Sequence, residues 1–320
     1  MLLAKVLRIK GVKAVHQCSR FLDVGTLLPL FIVSLLFLTT PNMPSAQGIL
    51  QAQSEDLGNT KVAVYVNYNQ AQGSSIALLN MFTWMNATVT ITNASDIIGG
   101  GLAGVDIFVM PGGSETRYGT ELGQQGCQAI RDFVAGGGSY FGICGGSTFA
   151  CKYALGLFNG SLRRPVPGVA DGTYVIQLAL NMSCGIPGLS EESPSFRTLY
   201  WSSGYFDTDN FTGIIPVATY TNSTLAPMIA FQYGSGSVFL SSPHPEYEED
   251  DDRDGTTAFD YLDDPESEWG IMMKIARWLV EVSPPASDTD TTTGIPYLYL
   301  AIAGSVAVIA VASIVVVRRR

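Results

Sequence analysis

Apolar and polar positions change period along this chain. Lys61-Val-Ala-Val-Tyr-Val-Asn67 is a near-continuous apolar run, as expected of a strand covered on both faces. Helical spacing follows over 75–85, a strand alternation over 87–92, and a further strand over 105–110 that ends in Pro111-Gly-Gly113. Residues 120–135 are helical, with Leu122, Ile130, Phe133 and Val134 as the apolar side. A short buried strand is expected over Ser139–Ile143, and the first turns of a helix over 147–155. The pattern then turns to strands, over 174–180, 198–201, 214–220, 227–233 and Gly236–Ser241. An amphipathic helix over Trp269–Val282 closes the series. Strands alternating with helices at these lengths predict one α/β domain over 61–282, with a doubly wound, mostly parallel sheet sandwiched by helices. In such sheets ligands gather at the carboxyl ends of the strands, where Pro111-Gly-Gly113 and Cys144 both fall.

The flanks are of a different character. Residues 1–46 have the layout of a signal peptide: a basic start with Lys5, Arg8, Lys10, Lys13 and Arg20, an apolar run over 27–38, and small residues near Ala46. Residues 47–60 read as a linker, and the polar, Pro/Thr-rich 283–295 as a flexible stalk. The 22 uncharged residues of 296–317 are long enough, at roughly 33 Å, for a C-terminal transmembrane helix. Arg318, Arg319 and Arg320 would form a cytoplasmic basic tail. The expected location is therefore the cell membrane, single-pass, with the domain extracellular.

Charge and sequons narrow the partners. Residues 47–294 carry ten Lys and Arg against 27 Asp and Glu, which argues against nucleic acid. Asn86, Asn93, Asn159, Asn181, Asn210 and Asn222 each open an Asn-x-Ser/Thr sequon, as glycosylated exterior loops would. Past the leader, four cysteines remain: Cys127, Cys144, Cys151 and Cys184. If Cys144 is a free nucleophile, at most one bridge can form among the other three, and the Gly/Pro-rich loop around Cys184 favours one that includes it.

The candidate chemistry centres on Gly142-Ile-Cys-Gly-Gly146. A cysteine between a strand end and a helix start is presented on a sharp turn that glycines make possible, and the helix dipole favours its thiolate. Alone, the motif fits a buried cysteine in a glycine-rich turn equally well. His244 is the one histidine beyond the leader, and it follows a strand in Ser242-Pro-His-Pro-Glu246. On an extended segment residues two apart project to one side, so Glu246 can orient the imidazole while its other nitrogen faces Cys144. A surface His-Pro turn is the plainer alternative.

Taken together, Gly142-Ile-Cys-Gly-Gly146 and His244-Pro-Glu246 resemble the class I glutamine amidotransferase-like superfamily. Val109-Met-Pro-Gly-Gly113, residues 136–146, Tyr200-Trp-Ser-Ser-Gly-Tyr-Phe206 and Phe239-Leu-Ser-Ser-Pro-His-Pro-Glu246 are similar to one branch of it, the biotin–protein ligase N-terminal domain. The resemblance covers about 61–282. It implies a flavodoxin-like sandwich with Cys144 as nucleophile, His244 as base and Glu246 as its orienter. The backbone N–H groups of Gly113 and Gly145 would form the oxyanion hole. Two departures matter: Gly146-Ser147-Thr148 stands where glutaminases of the superfamily carry a glutamine, and no ligase catalytic domain accompanies the domain. The expected function is an outward-facing cysteine hydrolase acting on a small-molecule or peptide amide, with no cofactor. The alternative is a non-catalytic binding module on the same fold.

Asp250-Asp-Asp-Arg-Asp-Gly255 matches the opening of a calcium loop, but Tyr261 stands where the closing bidentate carboxylate belongs, and Asp260, Asp263 and Asp264 are out of register. A solvated acidic loop and no metal site is the expectation.

Overall fold

A computed structural model of the chain describes residues 56–66, 72–221, 223–249 and 252–283. β1 (Lys61–Tyr65), α1 (Gln72–Trp84), β2 (Thr88–Thr92), α2 (Ala94–Ile98), β3 (Ile107–Met110), α3 (Glu115–Ala135), β4 (Ser139–Ile143) and α4 (Gly145–Phe149) alternate in the first half. Then come β5 (Leu162–Arg163), β6 (Thr173–Leu180), β7 (Ser195–Trp201), β8 (Tyr205–Phe206), β9 (Ile215–Tyr220), β10 (Met228–Tyr233), β11 (Gly236–Ser241) and α5 (Trp269–Val282). Nine strands form one sheet in the order β2-β1-β3-β4-β11-β10-β9-β6-β7, and β5 pairs with β8 separately.

The expected fold class is corrected on two counts. The sheet is mixed rather than mostly parallel: β2, β1, β3, β4 and β11 are parallel, whereas β11–β10, β10–β9, β9–β6 and β6–β7 are antiparallel. Chain length between strands is the reason. A parallel neighbour needs a crossover of roughly a dozen residues, and only Gly234 (φ 62°) and Ser235 separate β10 from β11. The C-terminal transmembrane helix is not supported either: among the described residues no helix is long and apolar enough to cross a membrane. The run 296–317, the leader 1–46, the basic tail and the stalk after Ser283 lie outside the described residues.

Period-two alternation in the parallel strands feeds two cores, one on each face. Val62, Val64, Ile107, Val109, Phe141 and Phe239 point to the face covered by α1 and α5, against Phe82, Trp269 and Met272. Ala63, Tyr65, Phe108, Met110, Tyr140, Val238 and Leu240 point the other way, against Tyr118, Leu122, Ile130 and Phe149. The folded unit also reaches beyond the expected boundaries. Leu57, read as linker, is buried with its N–H on the Met85 carbonyl at 2.8 Å. Ser283 is buried with its hydroxyl 3.0 Å from Ser237 Oγ.

α3 is interrupted at Gly123 (φ 55°, ψ −166°), which explains why its first turns escaped the helical periodicity of 120–135. Its N-terminus is capped by Ser114, whose Oγ accepts from Arg117 N at 3.4 Å.

Carboxyl groups are buried at the start of α5. Glu249 and Glu268 are inaccessible to solvent, and neither side chain has a hydrogen-bond partner among the described residues. Asp264 pairs with Arg197 at 2.9 Å, and Glu248 with Arg253 at 2.7 Å. Burial pushes Glu249 up to about 8, with Asp264, Glu248 and Glu246 adding to the rise. Burial, reinforced by Glu249, drives Glu268 upward as well. A carboxyl whose folded-state pKa is raised holds its proton in the fold after the unfolded chain has released it. Stability is then greatest below the unfolded value of about 4.5 and falls as pH rises through about 8. Glu249→Gln should therefore flatten the decline between pH 5.5 and 8.5 and stabilise the protein at pH 8.5 by about 1–3 kcal/mol. Chemical denaturation at the two pH values measures this; equal pH dependence in variant and wild type would show that Glu249 is not held neutral.

Candidate active site

Strand register assembles the site. β4 and β11 are parallel neighbours with Ile143 opposite Ser241, so their carboxyl ends open together. The residue after Ile143 is Cys144, whose N–H donates to the Ser241 carbonyl at 2.7 Å. From Ser241 the chain runs through Ser242 and Pro243 to His244, whose N–H donates to Leu199 O at 3.0 Å. Residues 100 positions apart in sequence are thereby brought to one edge.

Cys144 has φ 47° and ψ −108°, a conformation that costs an L residue energy and is kept only where its surroundings enforce it. Its carbonyl is held by Ser147 Oγ at 2.7 Å and Thr148 N at 2.9 Å. The following glycines allow a close approach of two backbones. A Cβ at Gly145 would collide with the Gly113 carbonyl, and one at Gly146 with the Met110 carbonyl. Gly146 N donates to Pro111 O at 3.0 Å, and Tyr118 Oη lies 3.1 Å and 3.0 Å from the Pro111 and Gly112 carbonyls. The loop carrying Gly113 and the turn carrying Gly145 are thus fixed against each other.

His244 and Glu246 are both fully buried. His244 Nδ1 lies 2.9 Å from Glu246 Oε1, so an ionised Glu246 accepts from Nδ1–H. The same oxygen accepts from Ser74 Oγ at 2.6 Å, and Ser74 Oγ in turn accepts from Gly112 N at 2.9 Å. The imidazole edge packs on Gly112, where a Cβ would stand 2.8 Å from His244 Cε1. His244 Nε2 is buried and has no hydrogen-bond partner among the described residues, the Cys144 sulfur included; Cys144 is the first group whose charge bears on the imidazole. Trp269 Nε1 donates to the Glu246 carbonyl at 3.0 Å, tying the segment to α5.

The electrostatics are those of an ion pair. Burial pushes the Cys144 thiol up, but the neighbouring His244, with a further contribution from Arg164, more than offsets it and leaves the thiol below its ordinary value. Burial pushes His244 down, but Cys144 and Glu246 together raise it to about 10. Both directions favour thiolate and imidazolium at neutral pH. α4 is one short turn, Gly145–Phe149, in place of the helix expected over 147–155, so the partner that favours the thiolate is His244 rather than a long helix dipole.

Cys144, His244, Glu246, Gly113 and Gly145 all meet at this edge. Ser74 was not legible beforehand. Its position in the first turn of α1, the helix that follows β1, was the available signal, since ligand-facing residues gather at that edge. The other cysteines behave differently. Cys127, Cys151 and Cys184 are free, which corrects the expected bridge involving Cys184. Burial pushes the Cys127 thiol up and raises Cys151 to about 12. Cys127 and Cys151 line a separate cavity of about 700 Å³, together with Phe149 and Leu162, that includes none of the three triad residues. In the acidic loop, Asp250 and Asp251 lie outside the described residues. Asp254 uses its carboxylate to brace the turn, accepting from Thr256 N at 2.8 Å and Glu248 N at 3.3 Å.

Comparison with known proteins bears out the family resemblance. Residues 100–157 match the family model for the N-terminal region of biotin-protein ligase, a span that includes the Pro111–Gly113 loop and the Cys144 turn. A biotin–protein ligase of Schizosaccharomyces pombe is 27% identical over 187 residues, covering 50% of this chain and 29% of the relative. A Chlamydia muridarum protein described as uncharacterized is 31% identical over 156 residues, covering 44% of this chain and 60% of the relative. The chain therefore spans less than two thirds of either relative. Among solved structures, PurLQS from Thermotoga maritima aligns over 70% of this chain and 98% of its own, with a TM-score of 0.49 at 15% identity. A glutamine amidotransferase from Thermotoga maritima aligns over 70% and 89%, with a TM-score of 0.45 at 17% identity.

Ser74 supplies a test of the assembled site. Ser74→Ala removes one donor from Glu246 and leaves the Gly112 N–H without its acceptor. The expected cost is about 1–3 kcal/mol of stability. The orientation of His244 should loosen with it, slowing alkylation of Cys144 at pH 7 by about threefold to tenfold. Denaturant titration and mass-spectrometric alkylation rates measure both; a loss of stability with unchanged Cys144 reactivity would restrict Ser74 to a structural role.

Proposed function

We propose that the protein is a cysteine hydrolase that cleaves an amide-like bond by acyl transfer through Cys144, His244 and Glu246. One arrangement carries the reading: a strained, half-buried cysteine ends one strand, and the parallel neighbour of that strand leads to a buried histidine whose Nδ1 is held by a buried carboxylate. A structural cysteine needs no such partner, and Cys151, buried without one, has its thiol pushed the opposite way.

The steps follow from the placement of the groups. The Cys144 thiolate attacks the carbonyl carbon, forming a C–S bond and moving the carbonyl electron pair onto oxygen. The N–H groups of Gly113 and Gly145 stabilise that oxyanion, each donor of this kind being worth roughly 2.7–4 kcal/mol of barrier. The tetrahedral adduct collapses, the C–N bond breaks, and the His244 Nε2 proton passes to the departing nitrogen. Water then gives a proton to neutral His244 as it attacks the thioester. The C–S bond breaks, releasing a carboxylic acid and regenerating the thiolate. Glu246, fixed by Ser74, keeps Nδ1 protonated and balances the imidazolium.

Labelling of the intact protein with a thiol-directed acyl probe tests the reading. Wild type should form a covalent adduct at Cys144, transient where the linkage is a thioester, and Cys144→Ser should form none. The rate of alkylation at Cys144 should stay high well below pH 8.5, the ordinary thiol value being about 8.5. His244→Ala should lower the rate at pH 7 by about tenfold or more, and Glu246→Gln should act in the same direction but less strongly. A wild-type profile centred on the ordinary value and unmoved by His244→Ala would leave the domain as a binding module.

A further inference from the structure

The site is flanked by one cation and one exposed indole. β5 and β8 pair with Arg163 opposite Tyr205, which sets Arg164 beside Gly204. A Cβ on Gly204 would stand 3.0 Å from Arg164 Cγ, so the arginine stem lies over that glycine. Gly204 N donates to Ser242 Oγ at 2.7 Å, and Ser203 Oγ to Ser242 O at 3.2 Å. The two-stranded β5–β8 unit is thereby bonded to the residue two positions before His244. Trp201, at the end of β7, packs its ring against the imidazole at 5.5 Å between centroids and a 35° tilt. It nevertheless remains 44% exposed, leaving indole surface open to a ligand.

Several of the described cations are committed to carboxylates. Arg163, Arg197, Arg253, Lys274 and Arg277 each form an ion pair with a carboxylate. Arg164 is exposed and has no such pair among the described residues. Its positive charge acts in the lowering direction on Cys144, Tyr200 and Tyr220 alike. In a domain this acidic, an exposed guanidinium without a carboxylate partner, on a unit bonded to Ser242 beside the site, has the chemistry of an anion receptor.

We propose that Arg164 is the specificity-determining residue of this site and that the substrate is an anionic amide, carrying a carboxylate close to the scissile carbonyl, with Trp201 lining the opposite side. The inference rests on the cysteine-hydrolase reading. Arg164 would hold the carboxylate by a charge-assisted, bidentate contact. The Trp201 face would cover the planar amide and exclude water from the His244 side. The planar fork matters less for simple attraction than the charge does, so lysine should substitute in part.

Two reagents of the same reactivity class but different charge test this on the intact protein. Iodoacetate carries a carboxylate where iodoacetamide carries a neutral amide, and both displace iodide to form the same kind of C–S bond. Their rate ratio at Cys144, read by mass spectrometry of the Cys144 peptide and normalised to a small free thiol, reports anion recognition. Any general change in thiolate content cancels in the ratio. Wild type should favour iodoacetate by about fivefold or more, a preference that salt should weaken. Arg164→Gln should reduce the ratio to that of the free thiol, and Arg164→Lys, which keeps the charge and most of the stem, should retain much of it. A ratio unchanged by Arg164→Gln would overturn the inference even with acyl-probe labelling intact. The converse is also readable: loss of acyl labelling and of the His244 effect would sink the hydrolase reading, while the alkylation ratio would still report whether Arg164 recognises an anion.

Discussion

The close approach of two backbones, at Met110–Gly113 and Gly145–Gly146, is the contact on which the site depends. No side chain can stand at Gly145 or Gly146 without displacing the carbonyls of Gly113 and Met110. That contact aligns the ends of β3 and β4, forces Cys144 into its positive-φ conformation, and brings the Gly113 and Gly145 amides to one place. The backbone strain at Cys144 is offset by hydrogen bonds from its own N–H and to its own carbonyl. Tyr118 and Ser74 then hold the loop from outside, through the Pro111 and Gly112 carbonyls and the Gly112 N–H.

Charge is arranged around this contact in two contrasting ways. Around Cys144, His244 and Glu246, each buried group has neighbours that favour its charged form: His244 lowers the Cys144 thiol, and Cys144 and Glu246 raise His244. A short distance along the same chain, Glu249 and Glu268 are buried without partners, and the favoured solution is to keep the proton. The same burial that raises a lone carboxyl lets the triad pair interact strongly, because water no longer screens it. Trp269, at the start of α5, links the two regions by donating to the Glu246 carbonyl while its ring lies under the Arg253 guanidinium at 4.4 Å.

The antiparallel half of the sheet has a functional consequence. β11 is central because it pairs in parallel with β4 on one side and antiparallel with β10 on the other. A parallel β4–β11 pair places both carboxyl ends on one edge, which is what brings His244 to Cys144. The β6–β7–β9–β10 extension adds Trp201 and the Leu199 carbonyl that anchors the His244 N–H. Its small partner, the β5–β8 unit, adds Arg164.

Local pattern was sufficient for the elements whose signal is local. Ser139–Ile143, Gly236–Ser241 and Trp269–Val282 have the bounds their periodicity indicated, and the glycines after Cys144 marked a turn that only they could make. His244 and Glu246 meet as their spacing suggested, but across a turn at Pro245–Glu246 rather than along an extended segment. Relations between distant segments were decided by the fold. Strand direction in the second half depended on which neighbours the short connections allowed. Ser74 reaches Glu246 across 172 positions, and Arg164 is set over Gly204 by a pairing of two-residue strands that no periodicity could reveal. Hydrogen bonds and charge act over a few ångströms regardless of separation along the chain, so only the packed structure determines which polar residues become the partners of Cys144.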